Sequence, residues 1–217
     1  MSLAPAGWGV VLVGKWNKAI LSPKGIAQHL FKLPADTKIQ VNVPLDGVSA
    51  YLVRNPEETL SVHVETERLQ IDLLKCSYEI LDKGMKVGVD ALEMLPITPI
   101  SAVGFNVNFK SPEVPVDLLQ AIECTIDSKI ALNGMELAGR SLGRTIRFND
   151  GVINLSVRWT GEEYQINCNF HLDTADVTKA KEWLRTPMDS IKERIQIISV
   201  ILGVELNEGS HDENQNG

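Results

Sequence analysis

Tyr164-Gln165-Ile166-Asn167-Cys168-Asn169-Phe170-His171-Leu172-Asp173 is the stretch whose reading decides the fold class. Tyr164, Ile166, Cys168, Phe170 and Leu172 alternate with Gln165, Asn167, Asn169, His171 and Asp173. A period of two marks a strand, because successive side chains leave opposite faces of a sheet. One apolar and one polar face means antiparallel pairing with a core on one side and water on the other. Strands of a parallel sheet covered on both faces would be nearly continuously apolar.

Outward from this strand, Thr160-Gly161 is a hairpin turn leading back to a strand from Val152 to Trp159. Asn149-Asp150-Gly151 turns that strand into another, from Gly139 to Phe148. Downstream, Asp173 or Thr174 is expected to start a helix with Val177, Ala180 and Trp183 or Leu184 inward. Thr186-Pro187 breaks it, and a second segment carries Met188, Ile191, Ile195, Ile198 and Leu202 in a stripe that Gly203 ends. Further upstream, Phe105, Val107 and Phe109 alternate with Asn106, Asn108 and Lys110. A broken helix follows from Val116 to Ile130 and stops at Asn133-Gly134.

The first half repeats that order. Gly9 to Gly14 is a short β-branched strand, and Ser22-Pro23 opens a helix with Ile26, Leu30 and Leu33 on one face. Ile39, Val41 and Val43 alternate in a strand, Asp46-Gly47 is a hairpin signal, and a strand runs from Val48 to Arg54. Two more strands carry Leu60, Val62, Val64 and Leu69, Ile71, Leu73. Ser77 then caps a helix with Tyr78, Leu81, Met85, Val89, Leu92 and Leu95 inward, ended by Pro96. The expected fold is α+β: two tandem antiparallel-sheet halves, 1–96 and 97–206, each strand-helix-strands-helix, with helices on one side. A disordered polar tail is expected over 207–217, which has no apolar residue.

That order of elements resembles the paired repeats of the TATA-binding-protein-like fold, in which two curved sheets join and helices cover one side. Gly14 to Pro23, Leu95-Pro96-Ile97-Thr98-Pro99 with Gly104-Phe105-Asn106, and Asn169 to Asp173 are similar to a sporadically distributed group of uncharacterised prokaryotic proteins. The resemblance implies an association with mobile elements and no assigned activity.

Composition sets the outer limits. The 217 residues are 44% hydrophobic and 23% charged, which is ordinary for a globular chain. The longest apolar stretch, Ile195 to Val204, is about half what a bilayer needs. The N-terminus lacks the basic, apolar, then small-residue pattern of an export signal. Cys76, Cys124 and Cys168 are odd in number and far apart, so no disulfide framework or zinc pair is expected, and reduced thiols fit a cytoplasmic location. A net charge of −7 argues against coating duplex DNA by charge alone.

Candidate chemistry is sparse. Gly9-x4-Gly14-Lys15 imitates a phosphate loop, yet position 16 is Trp and the intervening residues are strand material. His29, His63, His171 and His211 are scattered, so neither a metal nor a cofactor is expected. His171 and Asp173 share a strand face as a general base and its orienter would, and a small hydrolase centred on them is one alternative. No nucleophile stands in a suitable context, and the chain reads more readily as a non-enzyme. The collective feature is the polar face of the second half: Asn106, Asn108, Lys110, Arg147, Asn154, Arg158, Asn167, Asn169 and His171, with Thr145 and Ser156. Amides with a few cations suit a ligand or a protein partner, and nucleic acid is a second alternative. The matching face of the first half (Gln40, Asn42, Tyr51, His63, Glu65, Gln70, Asp72) is neutral to acidic. Ile197, Val200 and Ile201 widen the apolar surface of the last helix beyond one core contact, and a homodimer is expected from it. The resulting expectation is a cytosolic, non-catalytic binding or assembly module.

Overall fold

A computed structural model describes residues 2–45, 50–113 and 116–208, without the side chains of 116, 117 and 121. Strands β1 (Ser2–Pro5) and β2 (Gly9–Gly14) lead into a short helix α1 (Pro23–Gly25), which widens into a π-helical turn over Ile26–Leu30. Ser22 caps it, its hydroxyl oxygen accepting from Gly25 N at 3.2 Å, and Lys32 at φ +55° leaves it. Then come β3 (Gln40–Asn42), β4 (Leu52–Arg54), β5 (Leu60–Val64), β6 (Arg68–Leu73) and α2 (Tyr78–Met94). Ser77 caps α2 by accepting from Ile80 N at 3.3 Å.

β7 (Ile100–Ser111) is the longest strand, and α3 (Val116–Ile122) and α4 (Thr125–Leu132) follow it. β8 (Arg140–Phe148), β9 (Gly151–Trp159) and β10 (Tyr164–Asp173) form a meander. Its two turns are eased by positive φ at Asn149 and Gly161. Helices α5 (Val177–Leu184) and α6 (Met188–Leu202) and a two-residue strand β11 (Glu205–Leu206) complete the chain. Gly203, at φ +65°, ends α6 in the left-handed conformation that a Cβ would disfavour.

The chain is therefore α+β, with helices and an antiparallel sheet. Nine strands run in the order β3-β4-β5-β6-β2-β7-β10-β9-β8, every neighbouring pair antiparallel. β1 pairs with β7 and, in parallel, with β11. At the centre β2 lies against β7, with Val10 opposite Phe105 and Leu12 opposite Val103.

One face of this sheet is dry. Val10, Leu12, Ile71, Phe105, Ile166, Cys168 and Phe170 are fully buried beneath α2, α5 and α6. α2 comes close because Gly84 and Gly88 face the sheet: a Cβ on Gly88 would stand 3.0 Å from Leu184 and 3.4 Å from Leu12. Under α5 the aromatic rings interlock. Phe105 stacks on Phe170 at 4.6 Å, and Phe148 meets Phe170 and Trp183 edge-on at 5.3 and 5.7 Å. No helix among the described residues is long and apolar enough to cross a membrane.

Several expectations need correction. Asp176, not Asp173 or Thr174, caps α5, accepting from Thr178 N and Lys179 N at 2.7 and 3.4 Å; Asp173 completes β10. Tyr51 does not join the polar face, for its hydroxyl reaches behind the sheet to the Leu21 carbonyl. Val43 is 65% exposed beyond a β3 that is only three residues long. Asp46-Gly47 and the start of the Val48 to Arg54 strand lie outside the described residues, as does the tail from 209 on. Glu208, within the stretch expected to be disordered, accepts from Tyr78 N at 2.9 Å. β1 and β11 have no counterpart in the sequence reading.

Candidate functional site

The other face of the sheet is open, and its side chains fall into cross-strand rows set by register. One row runs Asn106, Asn169, Asn154, Thr145 across β7, β10, β9 and β8. These four are joined into a single line of hydrogen bonds. Thr145 Oγ1 donates to Asn154 Oδ1 at 3.0 Å, Asn154 Nδ2 to Asn169 Oδ1 at 3.4 Å, and Asn169 Nδ2 to Asn106 Oδ1 at 2.8 Å. Each middle amide still has one donor and lone pairs to offer a ligand, held in place by its neighbours.

The adjacent rows are less uniform. Asn108 shares a row with Asn167 and Ser156, but its side-chain Nδ2 donates to Gly7 O at 3.0 Å and its main-chain carbonyl accepts from Trp8 Nε1 at 2.7 Å. Asn108 thus pins the loop between β1 and β2, where Gly7 adopts φ +66°. Asn167 is half-buried beside the amide line. Lys110, Gln165 and Arg158 form the outer row on one side. Glu163 meets Lys110 Nζ at 3.5 Å and accepts from Gln165 Nε2 at 2.7 Å. The Gln165 hydrogen bond, ahead of the Lys110 charge, holds the Glu163 carboxyl below its usual range. Lys110 is therefore a neutralised cation. Arg147 and Arg158 are exposed at the margin.

His171 occupies the row on the other side, with Gly104, Val152 and Arg147. Its Nε2 lies 2.9 Å from Asp173 Oδ1, so the pair singled out in the sequence is formed. Asp173 is nevertheless 87% exposed, where water screens it and no wall confines a substrate. Cys168 faces the dry side, and burial pushes its thiol up to about 12. It supplies no nucleophile here. Among the described residues no three His, Cys, Asp or Glu side chains gather as metal ligands would.

The rows continue across β2 into β6 and β5. Asn106 is opposite Gly9, Gly9 opposite Asp72, and Asp72 opposite Ser61. Asp72 meets His63 Nε2 at 3.0 Å and accepts from Gln70 Nε2 at 2.6 Å. Burial works to raise its pKa, yet the hydrogen bonds from His63 and Gln70 and the charges of His63 and Arg68 outweigh that and lower it. Between Asp72 and Asn106 the seam presents small or apolar residues: Gly9, Val11 and Val13 on β2, and Ala102 and Gly104 on β7. This floor was not legible in the sequence, because it exists only once β2 and β7 pair. Lys15, at the end of the imitation phosphate loop, is salt-bridged to Glu67.

No family model matches the chain, and no curated protein matches it. Among solved structures the chain is similar to Methanococcus jannaschii TBP, at 11% identity, over 88% of this chain and 98% of that one, with a TM-score of 0.27. A superposition that loose carries no argument about topology or ligand.

Proposed function

We propose that the chain is a non-catalytic binding module that holds a polypeptide segment on the open face of its sheet. The observation that carries this reading is the hydrogen-bonded line Thr145–Asn154–Asn169–Asn106 beside the floor of small and apolar residues on β2 and β7. Fixed amides flanking small apolar residues offer a polypeptide main chain both partners it needs. Lys110, Arg68 and Lys15 are countered by Glu163, Glu65 and Glu67, which leaves Arg147 and Arg158 at the margin, a small footprint for a polyanion. We propose further that the module consists of two tandem halves, 1–96 and 97–206. The sheet order supports this: the last strand of each meander, β6 or β10, lies beside β2 or β7, and these two join at the centre. The cytosolic location rests on reduced cysteines, and the mobile-element association on the resemblance of Gly14–Pro23, Leu95–Pro99 and Asn169–Asp173 to the prokaryotic group. Gene neighbourhood tests that association.

A photo-crosslinking residue at Val13, which is 37% exposed on the floor, tests the reading directly. In cells it should yield adducts removed by protease, and a control at exposed Glu182 on α5 should not. Nuclease-sensitive adducts would establish the nucleic-acid alternative instead. That alternative also requires oligonucleotide binding at low salt that Arg147→Ala/Arg158→Ala weakens. Hydrolysis abolished by His171→Ala would establish the enzyme.

A further inference from the structure

The two ends of the nine-strand path are unlike each other. β3 is three residues long, whereas β8 pairs with β9 over nine residues, from Arg140–Trp159 to Phe148–Gly151. In an antiparallel ladder every second residue of an edge strand aims its N–H and C=O away from its neighbour. Among the described residues, no main-chain hydrogen bond reaches β8 from any element but β9. Arg144 Nη1, on an exposed side chain, lies 2.7 Å from Gly143 O and stands where a main-chain donor would fit. The helix side of the strand is also incompletely covered, with Ile146 38% exposed and Leu142 half-buried.

The charges at this edge have one sign. β8 holds three arginines and no acid. Arg140 is engaged by Asp127 at 2.7 Å, and among the described residues Arg144, Arg147 and the neighbouring Arg158 have no carboxylate partner. A hollow of about 380 Å³ opens at the Arg140 end, lined by Gly139, Ser141, Arg158, Trp159 and Thr160.

We propose that β8 is a docking edge for an extended acidic segment of a partner protein, which adds to the sheet as a further strand. Main-chain hydrogen bonds supply attachment, carboxylates on the open face opposite Arg147 and within reach of Arg158 select the segment, and apolar side chains on the helix face cover Leu142 and Ile146. Its leading end reaches Arg158 in the hollow. A second copy is the wrong occupant, since its β8 would bring three more arginines to the same edge. Thr145 joins this edge to the amide line, but a strand added to β8 pairs with its main chain and does not need the floor between β2 and β7, so crosslinking at Val13 and peptide binding at 140–148 fail independently.

The test uses fluorescent peptides as long as β8, one alternating Glu and Val, one alternating Lys and Val, and a Glu-Val peptide N-methylated at alternate residues. Anisotropy should show the Glu-Val peptide binding on the order of 10–100 μM. The lysine peptide should not bind, and N-methylation should cost at least about tenfold. Arg147→Glu/Arg158→Glu, both exposed and folded by circular dichroism, should lose about tenfold and gain affinity for the lysine peptide. Amide shifts in the wild type should centre on 140–148. No binding up to about 1 mM, equal binding of the N-methylated peptide, indifference to the arginine reversal, or a change of oligomeric state with that reversal would each overturn the proposal.

Discussion

Asn169 accepts from Asn154 and donates to Asn106, so a single amide ties three strands together on the open face. Asn169→Ala removes both bonds and leaves two half-buried amides short of a partner. It should lower unfolding free energy by about 1–2 kcal/mol in urea titration while leaving the far-ultraviolet spectrum unchanged. Asn108→Ala should act differently, loosening the Gly7 loop, and hydrogen exchange of Trp8 Nε1 reads that out. The carboxylates add a pH dependence. Asp72 and Asp127 both sit below the usual carboxylate range. For Asp127, burial opposes hydrogen bonds from Cys124 and the Arg140 charge, and those interactions prevail. A folded pKa below the unfolded one, about 3.9, means that the unfolded chain binds more protons. Their stabilisation is complete above that value and is lost as pH falls through the folded pKa. Melting temperature should drop on acidification below about pH 4, and less so in Asp72→Asn. At this scale a period of two puts Asn106, Asn154 and Asn169 on one face of the sheet, and it misplaces Tyr51. It could not tell Asn106, which accepts from Asn169 on the open face, from Asn108, whose side-chain amide is spent on a loop 101 residues away.

Elements were legible wherever many side chains repeated one period. β10, β9, α2 and α6 follow their apolar stripes closely because each buries a full face against the same core. Short elements were not. β1 and β11 are held by pairing with β7 and with each other, and nothing local in Ser2–Pro5 or Glu205–Leu206 specifies a strand. The α5 cap was misplaced for a related reason: Asp173 and Asp176 are both good capping residues, and the ten-residue ladder of β10 with β7 claims the first. Close approach within the sheet yields a sharper expectation. A Cβ on Gly104 would lie 2.5 Å from the Phe170 carbonyl, so strands β7 and β10 would have to part. Gly104→Val should destabilise by about 2–3 kcal/mol, visible as a lower urea midpoint. It should also block the floor of the open face.

Over the whole molecule, α6 shows what its own core leaves uncovered. Ile191, Ile195, Ile198 and Leu202 are buried, whereas Val200 and Ile201 are 72% and 69% exposed and Ile197 is 40% exposed. A homodimer through this stripe predicts twice the chain mass by light scattering, and Val200→Glu/Ile201→Glu should return it to one chain without loss of fold. A monomeric wild type refutes it. The overall α+β class was readable because alternation and helical stripes both survive in the chain. The seam where β2 meets β7 was not, since the two strands are about a hundred residues apart in the chain. That meeting has a consequence for biosynthesis. When the ribosome has delivered only residues 1–96, β2 has β6 on one flank and nothing on the other. The nascent half then exposes a fresh strand border at β2 in addition to β3, and mispairing with a neighbouring chain on the same polysome competes with waiting for β7. Slow elongation between Pro96 and Ser111 should prolong that hazard, and accelerating it should raise the yield of soluble protein.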